Sequence, residues 1–305
     1  MDVVRLSVVC GPTAAGKSAL ALAIAEACGA AIVSADSRQV YRHFDIGTAK
    51  PTAEERARVP HSGIDVADPR ERYSAARWVA GAEEWIAGAR RSGRAPLVVG
   101  GTGFYLKALA APLFEEPPLD PIARAALERE LGDMPTEELR RWAAALDPAR
   151  SRLGRTQLLR AIEVALLTGE RISDLHRRNP GKRRFALRYL VVDPGPLLAA
   201  HIGRRVDAML ASGWLDEVAT LVREIPPEAP AWNAAGYGAI RAVVTGRLSL
   251  PLARERVIIE TRQYAKRQRT WFRHQLGDAD VMQVDPSTPD ALDRALAWWR
   301  SEGTT

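Results

Sequence analysis

Gly11-Pro12-Thr13-Ala14-Ala15-Gly16-Lys17-Ser18 is the stretch that decides the fold. It fills every fixed position of G-x-x-x-x-G-K-[ST], which chance gives in about one chain in a hundred of this length. Leu6 to Cys10 before it is a short apolar run; Ser18 to Cys28 after it is rich in helix formers and stops at Gly29. Strand, glycine loop and helix in that order are what a phosphate cradle requires. The glycines let backbone N–H groups curl around a di- or triphosphate at the helix N-terminus. Lys17 sets a point charge on phosphate oxygens, and the Ser18 hydroxyl suits Mg²⁺ or phosphate. Gly11, Pro12, Thr13, Ala14, Ala15, Gly16, Lys17 and Ser18 are thus the expected phosphate-binding residues, with Ser18 the candidate metal ligand.

Outward from the loop, strands and helices alternate. Ala31 to Ser34 reads as a second strand, and Ser74 to Arg91 as a helix with Trp78, Ala82, Trp85 and Ile86 on one face. Pro96 to Val99 reads as a third strand, bounded by Gly100-Gly101. These apolar runs do not alternate with polar residues, as expected of parallel strands covered on both faces. Pro112, Pro117, Pro118 and Pro121 mark a boundary, after which Ile122 to about His176 is helical throughout. Asn179-Pro180-Gly181 breaks the helices, Phe185 to Val192 returns to strand, and Pro196 to Glu224 is helical. Pro226, Pro227 and Pro230 form another break, with helices to the end. The expected architecture is α/β: a parallel-sheet core over 1–114 and 183–305, with a helical insert over 115–182.

A chain of 305 residues, 47% hydrophobic and 26% charged, has ordinary globular composition. Collagen-like, low-complexity and wholly disordered classes are excluded. The longest nearly apolar stretch, Ala19 to Cys28, is too short to span a bilayer and carries Glu26. Val3 to Cys10 leads straight into the glycine loop with no leader pattern, so a soluble, cytoplasmic protein without membrane partners, monomeric by default, is expected. Cys10 and Cys28 read as free thiols in apolar runs, and with five histidines, no HExxH and no CxxC, a zinc site has little support. Net charge is +6, and of the 43 basic residues only Lys17, Lys50, Lys107, Lys182 and Lys266 are lysine. The positive balance fits an anionic partner, a nucleic acid or a phosphorylated small molecule.

A phosphate cradle does not name a reaction. A hydrolysing NTPase shows an apolar strand ending in an Asp that holds Mg²⁺. Here the third strand ends Val98-Val99-Gly100-Gly101 with no Asp. Leu190-Val191-Val192-Asp193 admits two readings, such an Asp or a plain strand end before Pro194. The loop therefore suits a phosphate leaving group rather than an ATP to be hydrolysed. Ser34-Ala35-Asp36-Ser37-Arg38-Gln39 follows the second strand, and carboxyl ends of neighbouring strands line one crevice. If the first two strands flank that crevice, Asp36 lies near the phosphate loop, as a general base, a Mg²⁺ ligand or a plain helix cap. Gly100-Gly101-Thr102-Gly103-Phe104-Tyr105 opens onto the same crevice, with Thr102 offering a hydroxyl.

Several strings then occur together and in order: Gly11 to Ser18, Asp36-Ser37, Asp45-Ile46-Gly47-Thr48-Ala49-Lys50-Pro51, Gly100 to Tyr105, Gly236-Tyr237, and Ala265-Lys266-Arg267-Gln268 with Thr270-Trp271. Together they resemble the bacterial tRNA dimethylallyltransferase (tRNA isopentenyltransferase) family, over residue 6 to about 273. The resemblance implies transfer of a dimethylallyl group from dimethylallyl diphosphate to N6 of the adenosine just 3′ of the anticodon. It implies a P-loop NTPase-like core, an insert that grips the anticodon stem-loop of tRNA, and Mg²⁺ as cofactor. It makes Asp36 the general base, and Lys17, Ser18 and Arg205 diphosphate ligands within the catalytic set, which Thr102 completes. It makes Asp36, Ser37, Arg38, Gln39, Thr102, Arg124, Thr156, Gln157, Leu158, Leu159 and Arg160 tRNA contacts. The chain departs from the family pattern at Leu153-Gly154-Arg155-Thr156-Gln157, where the common Arg is Gln157 and Arg155 or Arg160 is the candidate substitute. It departs again at His201, where Arg is frequent, with Arg204 beside Arg205 a candidate to share that role.

Two basic runs support an RNA partner. Arg177, Arg178, Lys182, Arg183, Arg184 and Arg188 fall near the end of the insert. Arg254, Arg256, Arg262, Lys266, Arg267, Arg269 and Arg273 cluster late, with Lys266 and Arg267 inside a family string. A charge run is also what a solvated helix face looks like. The alternatives are a P-loop kinase or prenyltransferase acting on free adenine nucleotides, which leaves the insert and basic runs idle, and a non-catalytic RNA-binding protein, which leaves Lys17 and Asp36 idle. Trp298-Trp299 reads as packing on the last helix.

Overall fold

The computed structural model describes residues 4–111, 119–178, 185–276 and 279–301. The strands are β1 Val4–Cys10, β2 Ala31–Ser34, β3 His61–Ser62, β4 Pro96–Gly100, β5 Phe185–Val192 and β6 Val281–Val284. They form one sheet in the order β3-β2-β4-β1-β5-β6 with every pairing parallel. The register sets Cys10 opposite Gly100 and Val191, and Ser34 opposite Val99, so these strands finish along one edge. The two longest central strands, β1 and β5, are apolar because helices cover both faces.

The direction of winding reverses between β1 and β4, and that switch point is where an open α/β sheet binds its ligand. The expectation that the first two strands flank the crevice is corrected: β4 lies between β1 and β2. Leu97, Val98 and Val99 of β4 are buried at 0%, 0% and 9% exposure, which gives β4 a central place and moves β2 outward. The sequence reading also missed β3 and β6, both short edge strands. β6 keeps only Val284 fully buried, so its apolar run carries little of the both-faces-covered signature.

Helix α1 Lys17–Cys28 starts from the glycine loop and ends at Gly29, whose left-handed φ of 65° satisfies a carbonyl of its last turn. Helix α2 Ala53–Arg58 opens with a capping box between Thr52 and Glu55, and α3 Ala75–Arg91 with the Ser74 hydroxyl accepting from Arg77 N at 3.1 Å. Helix α4 is Gly103–Ala110. Helices α5 Pro121–Gly132, α6 Thr136–Leu146, α7 Arg155–Thr168 and α8 Ile172–Arg178 follow. Then come α9 Leu198–Ala211, α10 Trp214–Glu224, α11 Tyr237–Val244, α12 Leu250–Gln275 and α13 Ala291–Arg300. The stretch read as one helical run from Pro196 is broken at Ser212-Gly213, where Gly213 takes φ 89°.

The chain separates into two compact units, Met1–Ala110 with Arg184–Thr305, and Ala111–Arg183. The first is built around Val9, Ile24, Leu97, Leu190 and Val192, with Trp298 and half-buried Trp299 sealing α13 onto the sheet. The second has its own small core of Leu131, Leu139, Ala143, Leu158 and Ile162. Among the described residues no helix is long and apolar enough to cross a membrane.

Candidate active site

The phosphate loop has the backbone its sequence demands. Gly11, Ala14 and Gly16 take φ of 141°, 61° and 90°. A Cβ at Gly11 would run into the carbonyl of Val192 at the end of β5, so only glycine fits there. The half-buried Lys17 folds back, its Nζ donating to the Pro12 carbonyl at 2.7 Å. Burial lowers its ammonium to about 8; the Arg205 guanidinium pushes the same way, and Asp36 opposes both. Arg205, on α9, is likewise lowered by burial and supported by Asp36. Among the described residues no hydrogen bond or ion pair engages Arg205. Ser18 is exposed at the start of α1. Cys10, beneath the loop, is a free thiol that burial pushes up to about 12, and Cys28 is free and half-buried.

Asp36 leaves β2 on a turn that its own side chain closes: Oδ1 accepts from Arg38 N at 2.8 Å and Gln39 N at 3.4 Å. The loop after β4 braces this turn. Thr102 Oγ1 accepts from Ser37 N at 3.0 Å and donates to Ser37 Oγ at 3.3 Å, and Thr102 N donates to Ala35 O at 3.2 Å. Thr102 thus backs the Asp36 turn. The Gln39 amide is spent internally, accepting from Ser34 Oγ at 3.0 Å and donating to Thr48 O at 3.3 Å and Ala49 O at 3.0 Å. A further strut crosses the switch point. Gln268 of α12, buried at 7% exposure, accepts from Thr13 N at 2.7 Å and donates to Gly101 O at 2.8 Å.

Two clefts meet at these residues. One of about 80 Å³ is lined by Lys17, Ser18, Asp36, Gly101, Arg205 and Tyr264. The other, about 460 Å³, is lined by Asp36, Arg38, Arg205 and Arg267 at its polar end and by Ile202, Val206, Met209, Trp214, Trp232 and Val257 elsewhere. Thr13, Asp36, Thr48, Arg205 and Tyr264 border both. Asp36 therefore faces the same space as Lys17 and Arg205, the arrangement a base and an anion-holding pair need. Burial and the nearby Asp36 push the Tyr264 phenol up to about 12.

The metal question turns on the donor set. Among the described residues no three His, Cys, Asp or Glu side chains gather to hold an ion. Asp193 resolves as a structural residue: its carboxylate is taken by Arg269, with Arg269 Nε at 2.7 Å, and its Oδ1 also caps Gly195 N at 2.9 Å. A divalent cation here would rely on Ser18 Oγ with phosphate and water oxygens, a set that suits magnesium.

The family model described as IPP transferase matches residues 39–275, and that described as isopentenyl transferase matches residues 4–60. The chain belongs to the IPP transferase family. A tRNA dimethylallyltransferase of Anaeromyxobacter sp. (strain K) is 43% identical over 298 residues, covering 96% of this chain and 97% of that one. A tRNA dimethylallyltransferase of Deinococcus radiodurans is 41% identical, over 95% of each chain. Among solved structures, the full-length tRNA isopentenylpyrophosphate transferase of Bacillus halodurans superposes with a TM-score of 0.70 at 30% identity, over 98% of this chain and 96% of that one. A eukaryotic dimethylallyltransferase acting on tRNA gives a TM-score of 0.80 at 25% identity, over 97% of this chain and 77% of that one. The sheet is accordingly that of a P-loop-type prenyltransferase.

In this IPP transferase the insert residues read from sequence divide into surface and core. Thr156 and Gln157 are exposed, and Leu159 is half-buried. Leu158 is fully buried in the insert core, where its side chain packs with Leu131, Leu139 and Ile162. Gln157 closes the N-terminus of α7, its Oε1 accepting from Gly154 N at 3.3 Å. Arg155 is not the free substitute expected at this place. Its Nη1 donates to Met134 O at 2.5 Å and its Nη2 to Gly132 O at 2.5 Å, binding carbonyls at the end of α5. Arg124 and Arg160 meet on one carboxylate: the side chain of Glu163, 5% exposed, lies 2.8 Å from Arg160 Nη1 and 3.4 Å from Arg124 Nε.

The basic runs are also thinned by pairing. Arg188 lies over the Trp298 ring and donates to Ser301 Oγ at 2.9 Å, so it braces α13. Arg177 and Arg178 pair with Asp174 and Glu170, and Lys182, Arg183 and Arg184 lie outside the described residues. In the late run Arg254 pairs with Asp207, Arg256 with Glu260, and Arg269 with Asp193. Arg267 is exposed and sits 5.8 Å over the Tyr264 ring, while exposed Arg262, Lys266 and Arg273 have no ion pair among the described residues.

Sequence reasoning gave no role to Gln268, Tyr264, Trp214 or the 47–48 loop. For Gln268 a signal existed. It falls on the buried stripe Ala253, Val257, Ala265, Gln268 and Phe272 of α12, and an amide on such a stripe needs buried partners.

Proposed function

We propose that this enzyme transfers the dimethylallyl group of dimethylallyl diphosphate to N6 of the adenosine 3′ of the anticodon in tRNA, releasing diphosphate. The observation that carries this is the shared cleft: one carboxylate, Asp36, facing two cations at the phosphate loop, Lys17 and Arg205. The adenine N6 lone pair is delocalised into the ring, so the amine needs help as a nucleophile. As N6 forms its bond to C1 of the allyl group, the C1–oxygen bond breaks and its electron pair leaves with diphosphate. Asp36 takes the N6 proton; the geometry required is a carboxylate oxygen about 2.6–3.2 Å from N6. Its Oδ1 is already occupied by two backbone N–H groups, which leaves Oδ2 to face the amine.

Lys17, Arg205 and the loop amides stabilise the negative charge that grows on the leaving group. A magnesium ion held by Ser18 would add charge neutralisation at the diphosphate. The apolar wall of Ile202, Val206, Met209, Trp214 and Val257 gives the allylic tail a dry surface beside the reacting carbon. The target base must leave the anticodon-loop stack to reach this depth, and half-buried Arg38 with exposed Lys266 and Arg267 would meet the RNA backbone as it does.

The test is transfer of labelled dimethylallyl diphosphate, with magnesium, to tRNA, AMP or ATP. Label on tRNA supports the reading. Label on free nucleotides alone, or none on either, overturns it.

A further inference from the structure

The wall shared by the two clefts hangs from a side-chain pair on neighbouring helices. Asp45 N and Ile46 N donate to Glu217 Oε2 at 3.0 and 2.7 Å. Gly47 N donates to Tyr237 Oη at 3.1 Å, and Tyr237 Oη donates to Glu217 Oε1 at 2.6 Å. Successive N–H groups pointing one way make a nest for an anion, and here the protein supplies the anion itself. Burial, reinforced by contact with Glu217, drives the Tyr237 phenol far above its ordinary range, so it stays a donor.

The segment held in this way reaches the base. Gly47 and Thr48 line the larger cleft, and Thr48 and Ala49 the smaller. Their carbonyls at 48 and 49 take the Gln39 amide, and Gln39 N in turn donates to Asp36 Oδ1. Gly47 is pressed against the Trp214 ring so closely that a Cβ there would overlap it, which leaves the segment one position relative to α10. From the other side Lys50, 2% exposed, bonds Asp45 Oδ1 at 2.6 Å and Asp65 Oδ1 at 2.5 Å. Glu217 is thus linked to Asp36 by hydrogen bonds joined through the backbone of 45–49 and through Gln39, without lining either cleft itself.

We infer that Glu217, acting with Tyr237, is a positioning pair that fixes the 45–49 wall and, through Gln39, the orientation of the Asp36 carboxylate. This rests on the transferase reading above, in which Asp36 is the base. Glu217→Gln keeps the shape but cannot accept from both amides and from Tyr237 at once, since its NH₂ is a donor. Tyr237→Phe removes the Gly47 and Glu217 bonds together. A base displaced by about 1 Å loses up to about 100-fold in rate.

The experiment measures label transfer to tRNA, with kcat and both KM values, for wild type, Glu217→Gln, Tyr237→Phe and the double variant. Melting temperatures and tRNA affinities are measured alongside. The expected result is a kcat loss of about 10- to 100-fold in each single variant. KM for the donor and tRNA affinity stay within about twofold, and the double variant is little worse than the worse single one, because one network is being cut. Folded variants with wild-type kcat overturn the inference. So does a loss confined to tRNA affinity or donor KM, which would make the pair a substrate-binding device. If Glu217→Gln does not fold, Tyr237→Phe and Gln39→Ala carry the same prediction at two other links. If the wild type itself transfers no label, the transferase reading falls; if it transfers and the variants match it, only the positioning role falls.

Discussion

Raising the pH should weaken capture of the prenyl diphosphate before it harms the fold, and Lys17 sets where. Its ammonium is lowered from 10.5 to about 8 by burial and by Arg205. In the free enzyme about nine in ten molecules then carry the charge at pH 7 and about one in ten at pH 9. Because kcat/KM reports the free enzyme, kcat/KM for the donor should fall about tenfold from its plateau by pH 9. Bound diphosphate holds the proton in place, so kcat at saturating donor should stay level over that range. Stability moves the opposite way. Between pH 8 and 10.5 the unfolded chain binds the Lys17 proton more tightly than the folded one, so raising the pH through that window favours the fold, by at most about 3 kcal/mol. Unfolding at Lys17 therefore cannot account for the loss. Lys17→Arg keeps its charge throughout and should show a lower plateau without the basic limb. The assay is label transfer at sub-saturating donor from about pH 6.5 to 9.5. A flat kcat/KM across that range, or a limb that survives in Lys17→Arg, would refute the reasoning.

Other outcomes follow from the same geometry. Asp36→Ala should lower kcat by about 10²–10⁴ with tRNA affinity little changed; near-normal turnover would remove Asp36 from the mechanism. Gln268→Leu leaves Thr13 N–H and Gly101 C=O unpaired in a buried place, at about 1–3 kcal/mol each, so melting should drop and donor KM rise; calorimetry with donor kinetics checks both, and an unchanged pair of values sinks the strut. Affinity for tRNA should fall steeply with salt, and replacing Arg262, Lys266 and Arg273 should flatten the slope, whereas replacing Arg188, which is tied to Trp298 and Ser301, should leave it as it was.

Much of this was legible in the sequence because local chemistry and global fold agree there. The glycine loop, β1, β4, β5 and the helix from Ala75 all carry periodicity or apolar runs strong enough to read directly. Asp36 could be placed because a residue just past a parallel strand faces the ligand edge whichever strand lies beside it, and that survived the misplacement of β4. The edge strands β3 and β6 were hidden because a strand of two or four residues, half-exposed, has no pattern of its own. The Gln268 strut and the Glu217–Tyr237 pair join residues more than 150 positions apart, and no local window contains such a bond. Charge runs misled in one direction only. They count arginines, but function depends on which of them lack a carboxylate partner, and Arg188, Arg254 and Arg269 all have one.

That pairing also bears on why a phosphate loop here serves alkylation. A nucleotide-hydrolysing site needs a carboxylate beside the loop to hold the metal and order a water. Asp193, at the strand end where one was open to expectation, is neutralised by Arg269 and turned into a cap for Gly195. In the smaller of the two clefts described above, Asp36 is the one carboxylate among the described lining residues, and it sits across from the loop on the β2 side. A third cleft that also touches Lys17, Ser18 and Arg205 is bordered by Asp45, Glu55 and Asp65, but Asp45 and Asp65 are held by Lys50 and Glu55 accepts from Thr52 N. Across that smaller cleft two cations without carboxylate pairs of their own, Lys17 and Arg205, face one acid that no other cation neutralises. On the proposed reading, the positive charge of that cleft favours an anion that departs intact, and Asp36, held by backbone N–H groups on Oδ1, would accept one proton from an amine on Oδ2. On the proposed reading, the acid stands on the substrate side of the loop and not on its metal side, so the cradle would grip a leaving group under attack by a base and not a nucleotide under attack by water.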